Sequence, residues 1–465
     1  MKISKYLRQA CAFSALLACT GPARQPNLVV ITVDTLRADS LGVYGNPDGH
    51  TPFIDAFAAG AVVFENALTA IGTTIPSHAT LFTGLYPKHH GVRWNGDALD
   101  DGFTTLAELL GDAGYETAAF VSWPSMLRAG GLGQGFVFSD PVKLESGLSA
   151  GSGDAVNELA IPWIASLIEQ PFFLWLHYFE THSPYRLTPF AREKLAGYRG
   201  PLAAGAPTRT FYALGREIPW TPREARALRV LYDGEVREAD RLVGQVLDAL
   251  RRRDLISGTI VVITSDHGQA LGEHGQVGHG SLLSQPVLHV PLMVYLPGVA
   301  PRRVPARVGL VDLLPFLLEL LELPPPPNLD GRSLAPILTG DPLPAQRYFA
   351  EVRDPGDRLA RIRKKFDDPQ VLARVLAKAL EREAGSVAVF EDDIKGVLSP
   401  EDFRVYDLAK DPQELQPMVP ERADSELTAL RTVSSSYREG TAIESSGREF
   451  TQAVMRELEA LGYIQ

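Results

Sequence analysis

Asn27 to Asp34 read NLVVITVD, a run of apolar and β-branched residues closed by an acid. A strand with one wet face alternates polar and apolar residues. This run does not, so it reads as a central parallel strand buried on both faces. The form recurs in ETAAFVS (116–122), PFFLWLH (171–177) and GTIVVITSD (258–266). Helical patterns lie between: 103–114, and the longer 223–253, where Leu228, Leu231, Val236, Leu242, Val243, Val246 and Leu250 form one apolar stripe. Strand alternating with helix implies an α/β sandwich around a mostly parallel sheet. In such sheets the site lies at the carboxyl ends of the strands. Here those ends carry Asp34, His177 and Asp266-His267.

Beyond residue 300, GLVDLLPFLLELLEL reads as a helix that PPPPN breaks. From Tyr348 onward come a charged helical segment (357–383), a hairpin region near VYDLAKDPQEL and a last helix ending ELEALGYIQ, read as a smaller C-terminal subdomain. At the other end, MKISKYLRQ is positive and ACAFSALLA is apolar but too short to span a bilayer. Leu16-Leu17-Ala18-Cys19 then resembles a bacterial lipobox with Cys19 lipidated; the alternative is an ordinary signal peptide that contains a Cys. The expected division is a leader at 1–18, a tether at 19–26, a catalytic domain at 27–345 and the subdomain at 346–465. Thr20 is not the Asp of inner-membrane retention, so the expected place is the bacterial cell envelope, on the periplasmic side of the outer membrane. The only other cysteine, Cys11, lies in the leader, so the mature chain has no intramolecular disulfide.

The 465 residues are 45% hydrophobic and 22% charged, which is globular composition. A formal net charge of −11 argues against nucleic acid as a partner. The short basic runs at 251–253 and 361–365 read as solvated faces. Nothing in the sequence points to an oligomeric state.

Asp34 at one strand end and Asp266-His267-Gly268 at another can converge on one divalent cation. Adjacent residues both reach a metal only from a turn, which Gly268 favours. The alternative is that each acid caps the helix after it. TTIPSHATLFTG, from Thr73 to Gly84, reads as a short helix with Pro76 at a first helical position and Gly84 as its stop. Thr73 and Thr74 are then either an N-cap or a nucleophile. A threonine hydroxyl attacks at neutral pH only when a metal or a helix N-terminus stabilises its alkoxide.

The motifs DTLRADSLGVYG, TPFIDAFAAGAVVFENAL, TIPSHATLFTGLYPKHHGV, FFLWLHYFETHSPY, VVITSDHGQALGEHG and NLDGRSLAPIL, in this order, resemble the sulfatases of the alkaline phosphatase superfamily. The resemblance runs from about Asn27 to the final ALGY and implies the alkaline-phosphatase-like sandwich. The departures are specific. The sulfatase Cys-x-Pro-Ser-Arg, whose Cys or Ser becomes formylglycine, stands here as Thr74-Ile75-Pro76-Ser77-His78. Threonine oxidises to a ketone, so no formylglycine is expected. Thr35 stands for the usual second Asp, Ala119-Phe120-Val121-Ser122 for Gly-Lys-Trp-His, and Asp266-His267-Gly268 for Asp-Asn-Gly.

Those changes resemble the phosphoethanolamine transferases, though without their transmembrane helices. That resemblance implies a metal held by Asp34, Thr74, Asp266 and His267. His279, twelve residues past His267, and His177, His182 and Pro184 fit the same pattern. One divalent ion (Zn, Mn or Ca) is implied, and a second if His182 and His279 bind one. Thr74 would be the nucleophile, with His182 and His279 catalytic and Asn95, His78 and His177 around the substrate. His177 reads equally as a structural strand-end histidine. Glu180 is a weaker candidate for a second metal. His90 and His289 read as packed residues, His274 as a turn residue, and Arg37 and Asp39 as a local pair. The implied substrate is an anionic ester, phosphate before sulfate, cleaved through a covalent threonine ester, with transfer to an acceptor alcohol as a variant. The rivals are a true sulfuric ester hydrolase acting on sulfated glycans or small sulfate esters, and an inactive lipid-anchored binding protein.

Overall fold

The run NLVVITV forms strand β1 (Asn27–Val33), buried along its whole length. Leu28 and Val30 pack into one core with Ile75, Phe82, Leu313 and Phe316. Val29, Ile31 and Val33 pack into the other with Leu228, Leu231, Leu242 and Val246. Period-2 alternation thus supplies two cores, one on each face. The computed structural model describes residues 25–138, 152–167, 170–214, 218–352, 385–418 and 425–440. The leader, Cys19, the segment 357–383 and the final ELEALGYIQ lie outside the described residues.

With β2 (Val62–Leu68), β3 (Glu116–Val121), β4 (Phe172–Tyr178), β5 (Thr259–Thr264), the short pair β6 (Ala270–Leu271) and β7 (Val277–Gly278), β8 (His289–Tyr295) and β9 (Arg302–Gly309), the chain builds a 7-stranded sheet in the order β3-β4-β1-β5-β8-β2-β9 and a 2-stranded ribbon, β6-β7. The pairings in the large sheet are parallel except those of β8 with β5 and β2. The four expected strands lie side by side as β3, β4, β1 and β5. The other three escape the sequence pattern for physical reasons. β2 shifts register between Phe64 and Ala67, where Glu65 and Asn66 interrupt its apolar run. β8 contains Pro291, which argues against a strand when read alone. β9 is a sheet edge carrying Arg302, Arg303 and Arg307, a common guard against edge-to-edge association.

Helices cover both faces. One face carries α1 (Thr74–Thr83), α2 (Leu106–Asp112) and α5 (Leu313–Leu320). The other carries α3 (Gly153–Ser166) and α4 (Pro222–Arg252). α4 matches the expected long helix; Thr221 caps it by accepting from Arg223 N at 3.3 Å, and Pro222 occupies its first turn. α2 starts on a capping box, Thr105 with Glu108.

A second sheet, antiparallel, follows in the order β10 (Tyr348–Glu351), β11 (Val387–Glu391), β12 (Ile394–Leu398) and β13 (Phe403–Asp407). The expected hairpin sits slightly earlier than VYDLAKDPQEL, between β12 and β13, and Asp411 N closes a turn on Asp407 O at 2.7 Å. Leu430 of helix α6 (Ser425–Glu439) packs on Val389 and Val405. Leu68, Tyr86 and Leu288 share an apolar cluster with Tyr348, Phe390 and Val397, so the small sheet rests on the large one. Among the described residues no helix is long and apolar enough to cross a membrane.

Candidate active site

β1 and β5 are parallel neighbours, with Thr32 opposite Thr264. Their carboxyl ends therefore deliver Asp34 and Asp266 side by side. The chain after β5 turns sharply. Asp266 Oδ1 accepts from His267 N (2.8 Å) and Thr35 N (3.2 Å), and Ser77 Oγ donates to Asp266 O at 2.6 Å. Ser265 Oγ donates to His267 O (2.6 Å) and accepts from Leu36 N (3.0 Å), locking the two strand ends together. Thr35 holds a φ of 56°, rare for a β-branched residue, and its carbonyl accepts from Tyr232 Oη at 2.8 Å.

Gly268 is needed for a different reason from the one expected. It is not among the positive-φ glycines; a Cβ there would lie 2.0 Å from Pro286 O. Close backbone approach, not turn geometry, demands glycine. Gly268→Ala is expected to destabilise the fold by about 1–3 kcal/mol and to move His267, read as a lower denaturation midpoint together with weaker zinc binding.

Asp34, Asp266 and His267 are fully buried, and one ligand atom from each lies within 4.8 Å of the others. His267 Nδ1–H donates to Gly268 O at 3.0 Å, so its Nε2 keeps a lone pair, 3.5 Å from Asp266 Oδ2 and 3.9 Å from Asp34 Oδ1. Burial, then the charge of Asp266, holds the Asp34 carboxyl well above its usual range. Burial pushes Asp266 up to about 6 and His267 down to about 4. Asp34 Oδ1 and Asp266 Oδ2 meet no hydrogen-bond donor among the described residues. Two buried, bare carboxylate oxygens beside an imidazole lone pair fit a divalent cation.

Thr74 opens α1, and the expectation about its neighbours changes in detail. The helix begins at Thr74, so Pro76 is its third residue, still inside the first turn where a missing N–H is harmless. Thr73 stands at the N-cap with no side-chain cap bond. Gly84 ends the helix at φ 68°, as expected. Thr74 Oγ1 lies 3.5 Å from Asp34 Oδ2 and 3.5 Å from His267 Nε2. The cap comes from Asn95: its Oδ1 accepts from Ile75 N at 2.8 Å. Asn95 Nδ2 is buried with no partner among the described residues, which leaves a donor at the end of the helix.

The remaining histidines divide. His182 Nδ1–H donates to Ser183 O (2.5 Å) and His279 Nδ1–H to Gly72 O (3.1 Å), and their Nε2 atoms face each other at 3.2 Å. His279 stacks on His267 with ring centroids 4.4 Å apart. These two therefore adjoin the Asp34–Asp266–His267 group. His78, expected on the substrate, is corrected: its Nδ1 donates to Thr74 O (2.8 Å) and its Nε2 meets Thr32 Oγ1 (3.0 Å), so neither ring nitrogen remains for a ligand. His177 Nδ1 meets Thr32 Oγ1 at 3.0 Å, and its Nε2 lies 3.6 Å from Asp34 Oδ2.

Glu180 is turned toward α3, accepting from Gly153 N at 2.6 Å, and burial raises it to about 7. His90 and His289 are held by Thr80 Oγ1 and Glu65 O, and His274 sits in a turn at φ 52°, as expected. Arg37 pairs with Asp39 at 2.6 Å, and also reaches Glu273 at 2.6 Å. Sequence reading passed over Thr32 and Ser265. The signal that could have found Thr32 is its place as the lone hydroxyl inside the apolar run of β1.

The chain belongs to the sulfatase family, whose model, described as Sulfatase, matches residues 26–323. It is 27% identical over 452 residues to arylsulfatase K of Gallus gallus, covering 86% of this chain and 81% of that one. It is also 27% identical to the delta 4,5-hexuronate-2-O-sulfatase of Bacteroides thetaiotaomicron, covering 70% of this chain and 75% of the other. In fold it is similar to the phosphonate monoester hydrolase of Agrobacterium radiobacter, with a TM-score of 0.63 at 24% identity over 89% of this chain and 94% of that one. Membership makes it an ester-bond hydrolase by class.

Proposed function

We propose that this sulfatase-family hydrolase cleaves phosphate esters, with Thr74 as the nucleophile. The observation that carries the reading is the Thr74 hydroxyl at the start of a helix, 3.5 Å from both Asp34 and His267, where the family's formylglycine precursor would stand. Asp34, Asp266 and His267, with the Thr74 oxygen, would hold the divalent cation, zinc, manganese or calcium, that the donor set fits. Such an ion, when bound, lowers the pKa of a hydroxyl and neutralises the substrate's charge.

The residues' own work follows from their positions. Thr74 Oγ1 loses its proton and forms an O–P bond, and the ester oxygen departs as the alcohol. Water or an acceptor alcohol then breaks the threonine ester. Asn95 Nδ2 donates to a phosphoryl oxygen. His182 and His279, each with Nδ1–H tied to a backbone carbonyl, bring their Nε2 atoms together 3.2 Å apart beside His267, where they would meet the group being transferred. A threonine sulfate lacks the elimination route by which a formylglycine hydrate releases sulfate, which is why phosphate is favoured. The sulfatase names of the curated relatives support the second reading, hydrolysis of sulfate esters.

The test is soluble protein beginning at Thr20, assayed with zinc, manganese or calcium on nitrophenyl phosphate, bis-nitrophenyl phosphate and nitrophenyl sulfate. Metal-dependent turnover of a phosphate ester is the expected result; turnover of sulfate alone would overturn it. We further propose that the enzyme is anchored through a lipid on Cys19 to the periplasmic side of the outer membrane. Cys19→Ser should then move the full-length protein from the membrane fraction to the soluble one; retention in the membrane would refute the anchor.

A further inference from the structure

We propose that Thr32 is a positioning residue, whose single hydroxyl fixes the tautomers of His78 and His177 and so ties the turn carrying Thr74 to the carboxylate of Asp34. The argument is a count of hydrogens. Thr32 Oγ1 is fully buried on β1, two residues before Asp34. Four groups surround it: Trp175 Nε1 at 3.1 Å, His78 Nε2 at 3.0 Å, His177 Nδ1 at 3.0 Å and Leu176 O at 3.3 Å. A hydroxyl donates once and accepts twice.

The indole N–H can only donate, so it takes one acceptor position. His78 Nδ1 faces a carbonyl, Thr74 O, so it too must donate, and in a neutral ring His78 Nε2 is then an acceptor. His78 is fully buried between a carbonyl and a hydroxyl with no carboxylate among these partners, and a charged ring there would be left without a counter-charge, so the neutral ring is the one these contacts suit. The one Thr32 hydrogen therefore goes to His78. The second acceptor position of Thr32 is left for His177 Nδ1–H. The other assignments fail: donation to Leu176 O or to His177 would leave His78 Nε2 facing the hydroxyl oxygen with no hydrogen between them.

The chain of bonds is thus directed, from His177 through Thr32 and His78 to the carbonyl of Thr74. It leaves His177 Nε2 without a hydrogen, 3.6 Å from Asp34 Oδ2, so once Asp34 ionises a lone pair faces a carboxylate. That pair adds to the pull for a cation at Asp34, so Thr32 acts on the metal site through His177 without touching it. The metal arm of this inference rests on the reading of Asp34 as a ligand; the tautomers do not.

The experiment uses metal-free protein labelled with nitrogen-15 in histidine. Long-range proton–nitrogen correlations separate Nδ1–H from Nε2–H rings, and His78→Asn and His177→Asn assign the signals by their loss. Both rings are expected as Nδ1–H, and a His177 ring found as Nε2–H overturns the proposal. In Thr32→Val the zinc affinity should fall about tenfold, the size of effect typical of outer-shell partners, and Thr32→Ser should restore it. Wild-type affinity in a folded Thr32→Val protein also overturns the proposal. If Thr32→Val does not fold, the wild-type tautomers still decide. If Thr74 proves dispensable for turnover while both rings are Nδ1–H, the proposed function fails and this inference stands.

Discussion

Thr74→Ala is expected to lower kcat on nitrophenyl phosphate by at least about a thousandfold, the scale on which removing a covalent nucleophile acts. Asp34, Asp266 and His267 should still bind zinc in the variant, because both carboxylates and the imidazole remain. Metal content and kcat measured on the same sample separate the two effects. Thr74→Ser keeps the hydroxyl and should retain most of the turnover. Loss of zinc in step with activity would trace the whole effect to metal holding and count against Thr74 as the attacking group. Unchanged turnover in the alanine variant would remove it from the chemistry altogether.

Asp34→Asn should abolish metal-dependent turnover and yet stabilise the metal-free protein. In the folded chain Asp34 lies well above its ordinary pKa, through burial and then the charge of Asp266, and burial holds Asp266 at about 6. Unfolded, both titrate near about 4. The folded state therefore holds protons that the unfolded state has released. The stability these groups contribute is whole below about pH 4 and is lost as pH rises through the folded values. His267, pushed down to about 4, works in the opposite sense, losing its contribution as pH falls from about 6.5. It is common to both proteins and largely cancels in the comparison. Thermal melts of metal-free wild type and Asp34→Asn should diverge as pH rises, with the variant higher by about 2 °C or more at neutral pH. Added zinc should raise the wild type and leave the variant in place. A wild type that melts higher without metal at every pH would show that the carboxylates do not strain the empty site.

The central strands were legible because burial on both faces leaves a continuous apolar run, and the site acids because they end those runs. NLVVITVD and GTIVVITSD carry both signals at once. The strands that complete the sheet were not legible. A bulge, a proline and a charged edge each disguise a strand whose pairing is set by distant partners. Within the site, residue types and spacing indicated which side chains belong there. They did not indicate what each ring nitrogen does. His78 stands where an arginine was expected, and only the three-dimensional arrangement shows that Thr74 O and Thr32 hold both its nitrogens. Asn95 was placed around the substrate by the family resemblance. Its bond to Ile75 N adds a second duty that no pattern of residues announces.

Asn95 on one side and His78 on the other grip the main chain around position 74, one at the N–H of Ile75 and one at the carbonyl of Thr74. The grip does not depend on which side chain projects from that position. A lineage could therefore exchange the reactive atom, hydroxyl for thiol or for an oxidised derivative, by a change in a single codon, while the frame that aims it stays as it was. On that view the threonine is the tip of a handle built from Asn95 and His78, and a change of reactive atom here requires no change in the backbone that aims it.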